Sequence, residues 1–559
     1  MRVMLIMAAL TICWAALAQE TVVWIASPWQ QVLQGDEPGP ERVATLRAAA
    51  NEYEPFRLII RAGTGGLENV SVEVTDLIGS RGMIEASNIK LYRAHYLQMA
   101  EPSYRSTAKP GGYPDALIPF IDPATGLPPQ GGRIPAAPFD IQAGDNQEVW
   151  VDIYVPKGTP RDQYEGKITV MVGEERLARL PIHLAVYGFE LPDTIAMRSN
   201  FGGLGSRVAK VHGMTADAPE FAPIEDLYID ELLRHRAVPG SLGNIWPAYN
   251  EETGELDASA THERLRMLIE DKHVNALAIP FRYRDDPEKC KKYLGAIAAY
   301  LRENGWLDLA YIYMKDEPNN AEDYETVRQQ GALIHDADAG IMRMCTEQTV
   351  TSNPEWGDLY GAVDMWCPLW GLWDEKTARQ RLAKGEKLWS YTALCQGNER
   401  TPFWEIDFPP LAFRAPLWTS WHYDITGFLY WSSVYWGDYP DVYASPHFRD
   451  KYWAEGMLLY PGPDAGVKGA VPSIRLKLIR EALEDYEYMH MAAQIKGRGG
   501  WDTPSIDIEH YPMVQVQSGQ QRVDEIVARI TKNFQDWSRE PADYEAARDQ
   551  LARIIERRR

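Results

Sequence analysis

The stretch Leu309-Ala-Tyr-Ile-Tyr-Met-Lys-Asp-Glu-Pro318 decides how the rest of this 559-residue chain is interpreted. Residues 309–314 are apolar or aromatic and carry no charge, which is typical of a parallel strand covered on both faces. Pro318 cannot donate to a continuing ladder, so the strand should end at the adjacent carboxylates Asp316 and Glu317. Because barrel enzymes hold their chemistry at such strand ends, we expect both carboxylates to line a cleft. An acidic surface turn is the alternative.

Strand and helix patterns alternate around this stretch, over residues 196–495. Eight strands are predicted, at residues 198–201, 237–241, 275–279, 309–314, 340–345, 362–366, 387–391 and 427–431. Helical patterns lie between them, at residues 226–236, 262–272, 291–303, 321–335 and 375–384. This alternation predicts a (β/α)8 TIM-like barrel. A further helix that opens at Pro472-Ser473, with Leu476, Ile479, Leu483 and Tyr486 on one face, should close it.

The residues before the barrel have a strand pattern without helices. Apolar and polar residues alternate within residues 56–60, 70–74, 149–155 and 167–172, which predicts a β-sandwich over residues 19–195. A Pro- and Gly-rich stretch, residues 101–144, interrupts the strands. It is either a loop that leans on the neighbouring domain or a mobile flap. Residues 496–559 are predicted to form a short helical C-terminal tail.

The N-terminus has the three parts of a secretory signal peptide over residues 1–18. Arg2 precedes an apolar run, and Ala16-Leu17-Ala18 is a small-residue cleavage site. A lipid anchor on Cys13 is a weaker alternative, because the residues before it are not small. We therefore expect export to the periplasm or the extracellular space. No later apolar run has the length of a membrane span.

The composition excludes some partners and leaves others open. A formal net charge of −22 and a pI near 5.0 argue against nucleic acids and other polyanions. The 19 Trp and 29 Tyr offer flat apolar faces with polar edges, which suit sugars as well as cores. After loss of Cys13, four cysteines remain, and we favour buried thiols over disulfides: Cys290, Cys345, Cys367 and Cys395. Oligomeric state leaves no sequence signal.

Reactive and aromatic side chains collect at or just past the predicted strand ends, namely Asp316, Glu317, Glu347, Trp366, Tyr391 and Trp431. Carboxylates among aromatic rings point to glycoside chemistry, in which rings stack on sugars and a carboxylic acid protonates the leaving oxygen. HExxH, GxSxG and P-loop motifs are absent from the sequence, and no metal or cofactor is implied. Each aromatic residue, taken singly, is as well explained by core packing.

The adjacency of the two carboxylates favours one form of this chemistry. Retaining glycosidases place two carboxyl groups about 5 Å apart across the bond, which sequence neighbours achieve poorly. An adjacent pair suits the substrate-assisted route, in which the sugar's acetamido oxygen attacks the anomeric carbon. Glu317 would then be acid and base, and Asp316 would stabilise the oxazolinium. Lys315 would lower a neighbouring carboxyl pKa unless its side chain points away.

Several longer motifs resemble glycoside hydrolase family 123. They include Gly427-Phe-Leu-Tyr-Trp-Ser-Ser-Val-Tyr-Trp436, Leu458-Leu-Tyr-Pro-Gly462 and Pro472-Ser-Ile-Arg-Leu-Lys-Leu-Ile-Arg-Glu-Ala-Leu-Glu-Asp-Tyr-Glu-Tyr488. The N-terminal part is similar to the sandwich of that family through Ala49-Ala-Asn-Glu-Tyr-Glu-Pro-Phe56 and Val149-Trp-Val-Asp-Ile-Tyr-Val-Pro156. The resemblance spans nearly the whole mature chain.

This resemblance implies a sandwich followed by a catalytic barrel that removes β-linked N-acetylgalactosamine with substrate assistance. It maps the oxazoline-stabilising residue onto Asp316 and the acid/base onto Glu317. By analogy with related hexosaminidases, a tyrosine should hold the acetamido carbonyl, with Tyr391 preferred and Tyr313 as the rival. Further substrate contacts are predicted at Trp366, Trp431, Trp436 and Glu347. The charged residues of the closing helix are expected to be structural: Arg475, Arg480, Glu484, Asp485 and Glu487.

Two alternatives stay open. The barrel could cleave another sugar, with Glu347 or another strand-end carboxylate as the nucleophile. Alternatively, the chain could bind carbohydrate at an aromatic cleft without cleaving it.

Overall fold

The structure is a computed structural model and describes residues 20–351, 353–394, 401–437, 439, 441–495 and 518–557. The predicted signal peptide and Cys395 lie outside the described residues. Among the helices of the described ranges, none is both long and apolar enough to cross a bilayer.

The N-terminal domain consists of two facing sheets whose alternating apolar residues form the core between them. The first sheet is antiparallel, with strands in the spatial order Val22–Ala26, Glu52–Arg61, Asn146–Val155, Ile89–Met99 and Gly111–Pro119. The second has the order Ala44–Ala50, Glu175–Glu190, Asp162–Val172, Leu67–Val74 and Phe139–Ile141. A short hairpin, Leu77–Ile78 and Met83–Ile84, extends it.

The stretch 101–144 leans on the C-terminal domain, which was one of the two predicted alternatives. Its backbone binds that domain at Ser103, where the amide donates to Asp407 at 2.8 Å. Arg133 pairs with Asp441 and Asp464, each at 2.6 Å. The stretch also supplies two strands of the sandwich that sequence patterning missed, Gly111–Pro119 and Phe139–Ile141.

The C-terminal domain is organised around a curled parallel sheet. Its seven strands have the spatial order Arg198–Asn200, Gly427–Tyr430, Lys387–Thr392, Met365–Trp366, Met342–Cys345, Ala310–Lys315 and Leu277–Ala278. Every pairing in it is parallel. All carboxyl ends therefore meet at one rim of the sheet.

The sheet differs from the predicted eight-stranded barrel at residues 237–241, which form no strand in the described structure. This segment follows the first strand and bonds to it, with Phe201 donating to the carbonyl of Val238 at 2.9 Å. The backbone amide of Val238 donates to the Ser199 hydroxyl, and Pro239 has no backbone N–H to donate. A ladder to the last strand, Leu277–Ala278, is not formed there, and the sheet stays open.

Helices cover the outer face of the sheet. Their bounds are Gly205–Val211, Ala222–Arg234, His262–Arg266, Pro287–Glu303, Ala321–Ala337, Glu375–Leu382, Leu411–His422, Ile474–Ala493, Gly519–Ile530 and Pro541–Glu556. Shorter elements are the helical turns Ala86–Asn88, Met267–Asp271, Leu307–Leu309, Pro354–Trp356, Trp370–Leu372 and Pro463–Ala465, and the short strands Ala248–Tyr249, Leu256–Asp257, His447–Phe448, Tyr452–Trp453, Leu459–Tyr460 and Val471–Pro472. The last two helices of the chain pack on Leu411–His422 and Ile474–Ala493.

The long helix Ile474–Ala493 lies between the sandwich and the parallel sheet, and its residues 474–489 are all buried. Ser473 caps its first turn by accepting from the amide of Leu476. Its charges face partners across the domain border, Arg475 on Asp115 at 2.9 Å and Arg480 on Asp152 at 2.7 Å. The helix charges that were expected to be structural thus form a buried network that joins the two domains.

Candidate active site

A cavity of about 660 Å³ opens at the carboxyl ends of the parallel strands. The strand Ala310–Lys315 positions its central residues because side chains alternate along it. Tyr313 faces the cleft, whereas Ile312 and Met314 pack in the core between the sheet and the helices. The apolar run therefore both anchors the strand and delivers the residues after it into the cleft.

The strand ends irregularly at the two carboxylates. Its pairing with Met342–Cys345 shifts register between Tyr313 and Lys315, and Glu317 has a left-handed φ of 42°. A bulge redirects side chains, and a left-handed non-glycine residue is strained backbone that surrounding contacts must hold. As a result, Asp316 and Glu317 both line the cleft instead of alternating between faces.

Asp316 is held by two hydroxyl groups. The Tyr313 hydroxyl donates to Asp316 Oδ1 at 2.6 Å, and the Thr346 hydroxyl lies 3.1 Å from the same oxygen. Burial and the Asp316 charge raise the pKa of Tyr313, so the phenol keeps the proton that it donates. With Oδ1 occupied, Oδ2 of Asp316 is available to a ligand.

Glu317 is held by a different set of groups. The Tyr391 hydroxyl donates to Glu317 Oε1, and the backbone amide of Glu317 donates to Thr346 Oγ1 at 3.0 Å. Thr346 thus touches both catalytic candidates, one through its carboxylate and the other through its backbone. Each carboxylate has its own tyrosine.

Lys315 points away from the carboxylates. Its ammonium group pairs with Asp323 at 2.8 Å, on the helix Ala321–Ala337. The cation next to the pair in sequence is therefore directed to the outer surface of the domain.

Trp431 forms an aromatic wall of the cleft together with Phe448. Its indole N–H donates to Glu455 Oε1 at 2.7 Å. Gly456 lies directly behind the ring, because a Cβ at that position would stand 2.1 Å from Trp431 Cζ2. The positive φ of 72° at Gly456 adds a second reason for glycine there. The hydrogen bond to Glu455 and the close packing on Gly456 together hold the Trp431 indole in one orientation.

Glu455 belongs to a second carboxyl pair, with Glu405, that is buried behind Trp431. The side chains of Glu405 and Glu455 are 0% and 2% exposed. Burial raises the pKa of Glu455 to about 7, and burial together with the Glu455 charge raises that of Glu405 well above its usual range. Burial and the proximity of the two carboxyl groups thus both favour the protonated form.

The described residues contain no group of three or more His, Cys, Asp or Glu side chains placed to hold a metal ion. The three described cysteines, Cys290, Cys345 and Cys367, are buried free thiols.

Comparison with protein families matches both domains. The catalytic-domain model of glycoside hydrolase family 123 matches residues 260–492, and the N-terminal-domain model of the same family matches residues 44–172. This chain belongs to glycoside hydrolase family 123. The resemblance that the motifs predicted is confirmed, and with it the assignment as a glycoside hydrolase.

A solved family 123 structure from Clostridium perfringens, from a study of glycolipid glycan hydrolysis, has the same overall fold. It aligns over 96% of this chain and 97% of its own, with a TM-score of 0.64 and 14% sequence identity. The GH5 xyloglucanase of Bacteroides ovatus and the β-glucuronidase of Bacteroides uniformis align over 83% and 85% of this chain and over 100% and 50% of their own. Their sequence identities to this chain are 8% and 10% and both TM-scores are 0.27, which is too low to indicate a shared overall fold. A search of curated protein sequences found no match.

The structure brings together five of the predicted residues of this family 123 chain in the cleft: Tyr313, Asp316, Glu317, Tyr391 and Trp431. Three others lie elsewhere. Trp366 is 1% exposed and faces the helices, where its indole bonds to Glu386. Trp436 lines a neighbouring cavity and donates to the carbonyl of Leu459 at 2.8 Å.

Glu347 is the third predicted residue outside the cleft. Its carboxylate is buried and accepts from the Tyr324 hydroxyl at 3.0 Å. Burial, with a smaller contribution from the Glu317 charge, raises its pKa to about 7. Glu347 is therefore not part of the cleft lining, and its predicted roles as substrate contact or nucleophile stay predictions.

Sequence reasoning missed Thr346, Phe448 and Glu455. Thr346 directly follows the strand Met342–Cys345, so its position at a strand end was an available signal. Phe448 lies in the two-residue strand His447–Phe448 and Glu455 in a turn, both after the last parallel strand and too short for any periodicity to mark them.

Proposed function

We propose that this chain is an exported β-N-acetylhexosaminidase that removes β-linked N-acetylgalactosamine by substrate-assisted retaining hydrolysis. One observation carries the proposal. Among the described residues that line the cleft, Asp316 and Glu317 are the only acidic side chains, and each is bound by its own tyrosine. A cleft whose described lining has adjacent carboxylates and no third carboxylate facing them suits a mechanism in which the substrate supplies the nucleophile.

In the first step, the acetamido carbonyl oxygen attacks the anomeric carbon while the glycosidic C–O bond breaks. Glu317 donates its proton to the leaving oxygen. Asp316 accepts a hydrogen bond from the acetamido N–H through Oδ2 and stabilises the oxazolinium charge that develops. Tyr313 and Thr346 keep Asp316 oriented because both occupy Oδ1.

In the second step, water attacks the anomeric carbon from the side that the leaving group vacated. Glu317, now a carboxylate, takes the proton of that water, and the bond to the acetamido oxygen breaks. Two inversions retain the β configuration. The Tyr391 hydroxyl, which bonds to Glu317 in the free enzyme, turns to the acetamido carbonyl when substrate binds. Trp431 stacks on the apolar face of the sugar.

The proposed natural substrates are the glycans of glycolipids. This suggestion draws on the Clostridium perfringens enzyme, whose structure was studied for glycolipid glycan hydrolysis. The proposed export rests on residues 1–18, and N-terminal sequencing of protein secreted by a bacterial host tests it. A mature chain that begins at Gln19 supports export, and an uncleaved cytoplasmic chain contradicts it.

The test of the activity is hydrolysis of aryl β-N-acetylgalactosaminide, β-N-acetylglucosaminide and β-galactoside by the mature protein. We expect turnover only of the acetamido sugars, fastest for the galacto form, with β anomer as the first product in proton NMR. Hydrolysis of the plain galactoside contradicts substrate assistance.

Glu347→Gln separates the proposal from the alternative in which Glu347 is the nucleophile. Glutamine keeps the oxygen that accepts from Tyr324, so the fold should be preserved. Full activity supports the proposal, whereas a loss matching that of Glu317→Gln supports the alternative. Saccharide binding without any turnover supports a non-catalytic role.

A further inference from the structure

A second cavity, of about 870 Å³, adjoins the catalytic cleft. The two share an aromatic wall: the Tyr435 ring, which lines the second cavity, lies 4.9 Å from the Trp431 ring and 5.0 Å from the Phe448 ring. On the other side, the helix Gly205–Val211 begins just after Gly203, which lines the cleft. A glycan whose terminal sugar occupies the cleft can therefore extend into the second cavity.

Two cationic side chains of that helix face the second cavity. Arg207 and Lys210 are three residues apart, so they lie on one face of the helix. The Arg207 guanidinium sits 4.9 Å over the Tyr435 ring, which orients it without neutralising it. Both side chains are exposed, and within the described part of the chain neither forms an ion pair with a carboxylate.

The carboxylates of the described cavity lining have other partners. Asp441 and Asp464 line it, and each is bound by Arg133 at 2.6 Å. One guanidinium bonds to both acids, and the described lining, with three cations and two carboxylates, has a formal net charge of +1. The charges of Arg207 and Lys210 are left facing the cavity in a chain whose formal net charge is −22.

We propose that this cavity binds a single anionic group, a carboxylate or a sulfate ester, on a sugar next to the one that is removed. The inference rests on the proposed glycosidase function and specifies its substrate class. Arg207 and Lys210 donate to the anion, and Tyr435 packs on the sugar ring that carries it. The strongly negative net charge repels long polyanions, so recognition is confined to one or two anionic groups near the cleft.

The test uses three trisaccharides that share a terminal β-N-acetylhexosamine, the one accepted as an aryl glycoside. One carries a single uronate carboxylate on the second sugar, and the second is its carboxyl-reduced neutral form. The third is the neutral form with a single sulfate ester. We expect the wild-type kcat/KM to be about tenfold higher for the anionic forms, mostly through KM, as exposed charge-assisted hydrogen bonds suggest.

The variant Arg207→Gln with Lys210→Gln should abolish this preference, and Arg207→Lys with Lys210→Arg should restore it. Lys292→Gln with Lys384→Gln is the matched control, because it removes two exposed positive charges outside both cavities. The preference should also fall at high ionic strength, since salt screens exposed charges. A response to only one of the two anionic trisaccharides identifies which source of negative charge is recognised.

Equal wild-type kcat/KM for the neutral and both anionic trisaccharides overturns the inference, as does a preference that survives in the double glutamine variant. If no aryl glycoside is cleaved, the proposed function fails separately, and calorimetric binding of the same trisaccharides replaces kinetics. Tighter binding of an anionic form that disappears in the glutamine variant supports the site. Equal binding overturns it.

Discussion

Trp431 shares its cleft with one pair of carboxyl groups and is hydrogen-bonded to a second pair, and the two pairs differ in exposure and in hydrogen-bond partners. Asp316 and Glu317 are exposed in the cleft, and each is bound by a separate tyrosine hydroxyl. Glu405 and Glu455 are buried, and burial raises the pKa of both. The exposed pair can exchange protons with a substrate. The buried pair is shielded from solvent, and Glu455 holds the Trp431 wall by accepting the hydrogen bond of the indole N–H.

Removing the exposed pair should have the largest effect on activity. We expect Glu317→Gln to lower kcat by about 10²- to 10⁴-fold, because the general acid and base is lost. Asp316→Asn should lower it by about 10²- to 10³-fold, because charge stabilisation is lost. Steady-state kinetics with aryl glycosides of graded leaving-group pKa measure both variants.

The leaving group then separates the two roles. The defect of Glu317→Gln should shrink with good leaving groups, which need no proton, whereas the defect of Asp316→Asn should not. If both defects respond equally to the leaving group, the assignment of distinct roles is wrong.

Removing the buried pair should affect binding more than chemistry. Glu455→Leu leaves the Trp431 indole N–H without its acceptor, and we expect KM to rise about tenfold with little change in kcat. Glu455→Gln keeps an acceptor oxygen and should remain close to wild type. Michaelis kinetics of both variants decide this, and a loss confined to kcat would contradict a positioning role.

A substitution at Thr346 tests whether activity depends on the hydroxyl that contacts both Asp316 and Glu317. Thr346→Val removes the hydroxyl between Asp316 and the Glu317 amide, and we expect kcat to fall about fivefold. Thr349→Val is the matched control, since that hydroxyl bonds to Thr377 outside the cleft. Equal activity of the two variants would show that the hydroxyl is dispensable.

The smallest expected effect is on the pH dependence of stability. The folded-state pKa of Glu455 is raised from 4.5 to about 7, so the folded protein binds that proton more tightly than the unfolded chain. Its stabilisation is present below about pH 4.5 and is lost as the pH rises through 7. We expect Tm to fall between pH 5 and pH 8 more steeply in wild type than in Glu455→Gln. Parallel curves in thermal melts would contradict the raised pKa.

Sequence patterning located the exposed pair because its signals are local. The charge-free run 309–314 required a covered strand, and Pro318 ended it, so Asp316 and Glu317 had to lie at the rim. Seven of the eight predicted strands are present in the described structure. Residues 237–241 also read as apolar, but Pro239 and the Ser199 hydroxyl prevent a ladder, and the second of these is a tertiary contact.

The buried pair left no comparable signal. Glu405 and Glu455 lie in irregular segments that meet only in the folded chain. The predicted position of Trp366 in the cleft was wrong for a different reason. A strand buried on both faces has no apolar alternation to show which face a side chain takes. Such residues are assigned by packing, which a single sequence does not display.

The Arg475 side chain makes the two domains depend on each other. It reaches across the domain border to Asp115 and also donates to the carbonyls of Ala454 and Met457, on either side of Glu455 and Gly456. The loop that fixes Trp431 is therefore braced by a side chain whose charge is balanced in the sandwich. A buried charge that loses its partner is costly, by about 3–5 kcal/mol. Replacing the sandwich would leave Arg475 without its carboxylate partner, and we therefore expect the loss of one domain to disturb the loop behind Trp431 in the other.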